Sequence, residues 1–368
     1  MVQTLKELIS SIKPLDSAAM EEAAKYQARL AKPPGSLGKL EALSIQLAGI
    51  TGRVHNELPR KHLVVFASDN GVVAEGVSSA PQSVTLQQTV NLAHARTGAS
   101  VLAKHFGARL TVCDVGVNAD IKDTNVLNRK ISYGTKNIRK MPAMTREQAE
   151  EAILIGAGTV MDLAFEMETG HGADVFGIGE MGIGNTTTSS AVLAVLLDAD
   201  AEEVTGRGGG ITDEAFRVKK EVIRDAIRVN CPDREDVIDV LSKVGGYDIA
   251  AMCGAFLGAA AIRRPAVIDG FISAVAALCA VRLCPDVRGY LIPSHASFEK
   301  GYPLAMRAMN LEPFLLLDMR LGEGSGCPIA FQILDAACAV INKMATFDEA
   351  GINDEYLEEI RRGDKFTP

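Results

Sequence analysis

The stretch GIGEMGIGNTTTSS, residues 177–190, sets glycines, one acid and a run of hydroxyls between two apolar segments, ADVF before it and AVLAVLLDA after it. Glycines at a strand-to-helix turn let backbone N–H groups approach an anion. Gly177, Gly179 and Gly182 fit a G-x-G-x-x-G pattern, and Asp198 follows near the distance of a dinucleotide fold's ribose-binding acid. A second strand would have to begin just before that acid, yet TTTSSAVLAVLLDADAEEV runs on as helix, which disfavours a dinucleotide. Ile183 and Gly184 stand where a Walker motif needs Lys and Ser/Thr. Two readings stay open. One is a single-phosphate turn with Asn185 as helix cap and the hydroxyls of Thr186 and Thr187 facing the anion; the other is a tight turn that caps a core helix.

Four further stretches carry groups capable of chemistry. TGRGGGITDEAFRVKKEVI places Arg207 among glycines and Lys219 on the following helix, which suits a phosphate and equally a solvated loop. IPSHASFEKG offers Ser294, His295 and Ser297 after a strand. LLLDMRLGEGSGCP holds Glu323 between two glycines, where an apolar pocket would raise its pKa toward that of a general base; the alternative is a cap for the helix near Pro328. VFASDNGVVAEGVSSAPQSVTLQQTV leaves a strand at Asp69, Asn70 and Gly71 and continues as a long polar loop with Ser79, Pro81 and Gln87, suited to a flat-ring pocket or to plain surface.

These groups need strands that end beside one another. The runs KHLVVFAS (61–68), ARLTVCDVGV (108–117), ADVFGIG (173–179), RPAVIDG (264–270) and VRGYLIPSH (287–295) alternate with helical segments. Near-continuous apolar strands of this kind predict an α/β fold, a parallel sheet with helices on both faces and ligands at the carboxyl ends of the strands. Two helical segments flank LAKPPGSLGKLE, whose Pro-Pro-Gly breaks one helix and whose Ser36 is placed to cap the next; the last forty residues also read as helix. The expectation is a small helical domain from residues 1–60 with 328–368, and a catalytic domain over 61–327.

Composition narrows the class. The 368 residues are 47% hydrophobic with no tryptophan, and the formal net charge of −8 repels a nucleic-acid backbone. Cys113, Cys231, Cys253, Cys279, Cys284, Cys327 and Cys338 form no metal-ligand spacing and read as reduced thiols. Apolar runs are broken before membrane-spanning length, and the charged helical start is no signal peptide, so a cytoplasmic protein is expected.

Taken in order, KPPGSLGKLE, SDNGVVAEGVS, GIGEMGIGNTT, GRGGG, VGGYDIAAMCGAFLGAAA, VIDGFISAVAAL, MRLGEGSG and MATFDEAG resemble the nicotinate-nucleotide:dimethylbenzimidazole phosphoribosyltransferases of cobamide biosynthesis across nearly the whole chain. The resemblance implies a homodimer with a Rossmann-like fold and a smaller helical domain. It also implies transfer of phosphoribose from nicotinate mononucleotide to 5,6-dimethylbenzimidazole or a related base, giving α-ribazole 5′-phosphate and nicotinate. Motif by motif, Glu323 takes the general-base position and Glu180 that of a second acid. Gly182, Gly184, Gly208, Lys219 and Ser297 fall around the nucleotide phosphate, Ile183, Asn185 and Leu321 among the substrate-binding positions, and Ser79, Pro81 and Gln87 along the loop bordering the base pocket. No cofactor or metal is implied, because the pyridinium donor departs as a neutral ring nitrogen. Small-molecule substrates, and neither nucleic acid nor membrane, are the expected partners. A purine or phenolic acceptor with the same donor, or a non-catalytic nucleotide-binding protein, are the alternatives. This chain departs from the family pattern at Asn70, usually His; at Gly209, usually Thr; and at Gln88, often Met.

Overall fold

The computed structural model describes residues 4–165 and 172–357, so the end of the expected helical domain, 358–368, lies outside the described residues. Packing divides the chain into two units. Among the described residues the larger comprises those up to Lys13 and within Arg60–Ala330, and the smaller comprises Pro14–Pro59 and residues 331–357.

In the larger unit six strands form one parallel sheet: β1 (Lys61–Ser68), β2 (Arg109–Gly116), β3 (Val126–Asn128), β4 (Val175–Met181), β5 (Ala266–Ile268) and β6 (Leu291–Pro293), in the order β3-β2-β1-β4-β5-β6. That is the Rossmann order, with its topological switch between β1 and β4, where crossovers leave on opposite faces and open a crevice at the carboxyl ends. The expected α/β parallel sheet with helices is thus the observed one. The central strands read as apolar runs because helices cover both faces: β4 is buried throughout and β1 at every residue after Lys61. Register pairs Phe66 with Glu180 and Ala67 with Met181, which sets the end of β1 beside the acid of β4. β3 was not expected from the sequence; three residues on an edge carry too short an apolar signal.

The tightest helix pair in this unit is held by glycine. The helices Arg146–Ala164 and Tyr247–Ala261 approach until a Cβ on Gly156 would lie 1.8 Å from the Ala251 carbonyl oxygen, and one on Gly254 1.8 Å from that of Ile153. The helix Leu5–Ser11, expected among the smaller domain's helices, packs on this pair instead, with Leu8 buried.

In the smaller unit the helices Ser17–Arg29 and Lys39–Thr51 share a core of Ala19, Ala23, Ala48 and Ile341. Asp16 caps the first through the Ala19 N–H. Ser36 does not cap the second: its N-cap is Gly38, with no side-chain bond, while Glu41 reaches back to the Leu37 N–H and pairs with Lys32 at 2.8 Å. Among the described residues no helix is long and apolar enough to cross a membrane.

The glycine contacts make a paired prediction. Gly156→Ala should cost about 1–3 kcal/mol, because the methyl must push two backbones apart. Gly158→Ala, where an added Cβ meets nothing within 4 Å, should instead stabilise by about 0.5–1 kcal/mol through helix propensity. Urea unfolding of both variants checks the pair, and equal effects would contradict it.

Candidate active site

The loops at the carboxyl ends of β1, β4, β5 and β6 border one cleft of about 260 Å³, contained within the larger unit. Its first wall is the β4 turn. Glu180 is the last residue but one of the strand, Gly182–Gly184 make the turn, and the helix Asn185–Leu197 follows. Gly184 is the N-cap at φ 92°, so Asn185 is not the cap expected; it is the first helical residue, and its side chain turns back. The Asn185 amide donates to the Asp248 carboxylate at 3.0 Å and to Glu180 Oε2. Thr186 faces the cleft, whereas Thr187, one residue on, is fully buried outside its lining. The Ile183 N–H is taken by Thr85 Oγ1 at 3.1 Å. Asp198 sits at the far end of that helix in the left-handed region, paired with Arg234, and has no place in the cleft.

The glycine cluster forms the second wall through Gly208 and Gly209. Arg207 points away, held by Asp213 and the Ile211 carbonyl and stacked 4.8 Å over Phe216. Lys219, from the helix Asp213–Asn230, is 1% exposed and donates to Thr186 Oγ1 at 2.7 Å; it stands behind the lining, beside Gly208. Burial pushes its pKa down to about 8 against the opposing pull of Glu299.

Arg320, Leu321, Gly322 and Glu323 close the cleft from the third side. Gly322, Glu323 and Gly324 have successive φ of 84°, 62° and 81°. For Glu323 this left-handed backbone costs about 1 kcal/mol or more, so the surroundings must hold it. They do: the Asp269 carboxylate accepts from the Gly324 N–H at 3.1 Å and the Gly326 N–H at 2.7 Å, and Glu180 Oε1 accepts from the Glu323 N–H at 3.4 Å. A Cβ on Gly322 would strike Glu180 Oε1 at 2.6 Å. The Glu323 carboxylate accepts from the Ala99 N–H at 3.3 Å, at the start of the helix Gly98–His105, and so does not cap the helix Cys327–Lys343.

Of the remaining candidates, Ser79, Ser297 and His295 line the cleft. Ser294 lies behind His295, bonded to its Nδ1 at 3.0 Å and to the Asp269 carbonyl. Pro81 is outside the lining. Gln87 is also outside: what reads as a polar loop contains the helix Ser83–Ala93, on which Val84 and Gln88, four apart, share the face toward the cleft. Gln87 turns with Leu86, Val90 and Asn91 toward a separate hollow.

Three acids were missed: Asp248, Asp269 and Glu299. Each is a lone acid in an apolar or loop segment, and the one sequence signal is Asp248 opening the otherwise apolar run DIAAMCGAFLGAAA. Burial dominates their electrostatics. It raises Glu180 to about 8, with the Asp248 charge adding to it, and Asp248 to about 6 despite the Asn185 and Asn70 amides. Burial likewise raises Asp269, and raises Glu323 against the Ala99 N–H. Among the described residues no group of three or more His, Cys, Asp or Glu is placed to hold a metal ion.

A family model described as phosphoribosyltransferase matches residues 12–352. The nicotinate-nucleotide–dimethylbenzimidazole phosphoribosyltransferase of Clostridium tetani is 48% identical over 362 residues, 98% of this chain and 99% of that one. The chain belongs to this phosphoribosyltransferase family. The protein of the same name from Clostridium perfringens is 50% identical over 357 residues, 97% of this chain and 98% of its own. A crystal structure of the Thermus thermophilus protein, 37% identical, superposes with a TM-score of 0.85 over 92% of this chain and 99% of that one. The chain is accordingly a phosphoribosyltransferase, and this cleft is its candidate active site.

The buried acids tie this phosphoribosyltransferase's stability to pH. Glu180 titrates near 4.5 when unfolded and about 8 when folded, so its proton stabilises the native state fully below pH 4.5, and that contribution is lost as pH rises through about 8. Thermal midpoints of the free enzyme should therefore fall across this window, and Glu180→Gln should flatten the fall. An equally steep curve in the variant would remove Glu180 as its source.

Proposed function

We propose that the enzyme transfers 5-phosphoribose from nicotinate mononucleotide to 5,6-dimethylbenzimidazole or a related base, releasing nicotinate and forming α-ribazole 5′-phosphate, with Glu323 as general base. The observation that carries this reading is the cleft itself. A buried carboxylate on a rigid loop, Glu323, faces a cleft whose other wall, Gly182–Gly184 with Gly208, is backed by a buried lysine.

The donor carries a pyridinium on C1′, which leaves as a neutral ring nitrogen. As that bond lengthens, positive charge moves onto the ribose, and a carboxylate in the dry cleft stabilises it. Glu180, raised to about 8, holds its proton near neutral pH, so this charge role falls to Glu323. The benzimidazole attacks C1′ through one nitrogen from the face opposite the leaving group. Its other nitrogen then gives its proton to Glu323, and the product leaves neutral. Lys219, the glycine turn and Ser297 hold the phosphate, which orients C1′ between the departing and arriving nitrogens. Ser79 and Gln88 border the acceptor's space, and Gln88 is one of the departures from the family pattern, so it bears on which base is preferred.

The same reading makes the enzyme cytoplasmic and a homodimer; the exposed apolar side chains of Phe298 and Leu316 support the second.

Glu323→Gln should lower turnover by about 10² to 10⁴ while leaving the donor KM nearly unchanged; a loss under about tenfold removes the general-base role. Because burial raises the Glu323 pKa and its ionised form is the base, kcat should fall as pH drops, with a midpoint above the ordinary carboxylate value of 4.5. Lys219→Ala should mainly raise the donor KM. Nicotinate release assayed with benzimidazoles, purines and phenols distinguishes the acceptor classes, and donor binding without nicotinate release in any of them would contradict the enzyme reading.

A further inference from the structure

Glu299 takes no part in the chemistry above, yet it lies in the wall of the cleft and is 8% exposed. It follows β6, and its carboxylate rests on the bare face of Gly206: a Cβ there would fall 1.8 Å from Oε2. The Gly208 N–H turns toward the same carboxylate. Oε2 itself is buried without a hydrogen-bond partner. On the other side of the turn, the Lys219 ammonium reaches one acceptor, Thr186 Oγ1, at 2.7 Å. Acid, turn and lysine therefore form one unit around the end of the cleft that Gly208 lines.

The neighbours of Lys219 leave this acid its charge partner. The Asn185–Leu197 helix packed against it carries no charged residue. Of the other elements on the lysine's helix, Glu202 of the helix Ala201–Val204 is held by Lys220, Asp239 of the helix Val237–Val244 by Lys243, and Glu75 of the short helix Gly71–Glu75 by Arg139. Besides Lys219, the cation facing Glu299 is Arg320.

We propose that Glu299 is a positioning residue of the phosphate subsite, seating the Gly206–Gly208 turn and supplying the negative charge that keeps Lys219 an ammonium while the subsite is empty. A buried lysine without a counter-charge gives up its proton, and a neutral amine cannot hold a phosphate dianion. Burial pulls Lys219 down to about 8, and Glu299 is the charge that resists. Glu299 thus ties recognition of the donor to the geometry of a turn it also holds in place. The glycine at 206 then has a chemical reason: any side chain would displace the carboxylate.

This inference rests on the phosphate subsite proposed above, and the experiment separates the two. Calorimetry gives the dissociation constant of nicotinate mononucleotide from about pH 6 to about pH 9.5 in the parent, K219A, E299Q and the double variant. The ratio of K219A to parent isolates what Lys219 contributes from Glu180, which also titrates near 8. That ratio should fall to half near pH 8 in the parent background and about one pH unit lower in the E299Q background. Gly206→Ala, which moves the carboxylate and keeps the acid, should shift the midpoint the same way, and it carries the test if E299Q does not fold. An unmoved midpoint in both backgrounds overturns the role of Glu299, since a merely structural seat would weaken binding equally at every pH. A ratio of one at every pH overturns the subsite itself.

Discussion

One amide holds the centre of this enzyme together. Asn185 Nδ2 donates to Glu180 and to Asp248 at once, two carboxylates with almost no solvent access. Two buried negative charges this close repel, so protons must be retained, and Glu180 retains one to about pH 8. The cleft consequently has an acid that is neutral near pH 7 beside a second acid, Glu323, whose backbone N–H that same Glu180 receives. The proposed division of labour between the two glutamates follows from where the sheet puts them: one sits next to the end of a buried strand, the other rides a loop opened by glycine.

That loop is positioned by backbone, not by side-chain packing. A Cβ on Gly179 of β4 would lie 2.5 Å from the Gly324 nitrogen, so the strand and the loop touch through bare backbone. Asp269, at the end of β5, ties the loop's amides from the other side. Two neighbouring strands, β4 and β5, thus fix the loop that carries Glu323, and the left-handed conformation of Glu323 is the strain that this clamp must hold. The sheet order supplies the rest, because the β1–β4 switch is where crossovers diverge and leave a crevice.

Much of this was legible in the sequence because burial writes long strands as apolar runs. β1 falls on the expected residues 61–68 and β2 within one residue of 108–117 at each end, whereas β3, three residues at an edge, has no such run. Glu180, within the glycine-rich GIGEMGIG, and Glu323, between two glycines, were visible because an acid among glycines is conspicuous. Asp248 and Asp269 were not, since each acts on an element distant in sequence: Asp248 meets Glu180 through Asn185, and Asp269 meets the loop 55 residues later. Gln87 misled because a helix was read as a loop; about 100° of rotation puts Gln88, not Gln87, in the cleft. Arg207 misled similarly, as a cation among glycines that the fold spends on Asp213 and Phe216.

The proposed transfer is a single in-line displacement at C1′ between two bound rings. Its most direct test is the anomeric configuration of the ribotide formed from nicotinate mononucleotide and 5,6-dimethylbenzimidazole, read by proton NMR of the C1′ position alongside chromatographic release of nicotinate. A single displacement gives one nicotinate released per ribotide, the α configuration throughout, and no release without acceptor. A β product, or nicotinate released in the absence of any base, would contradict it.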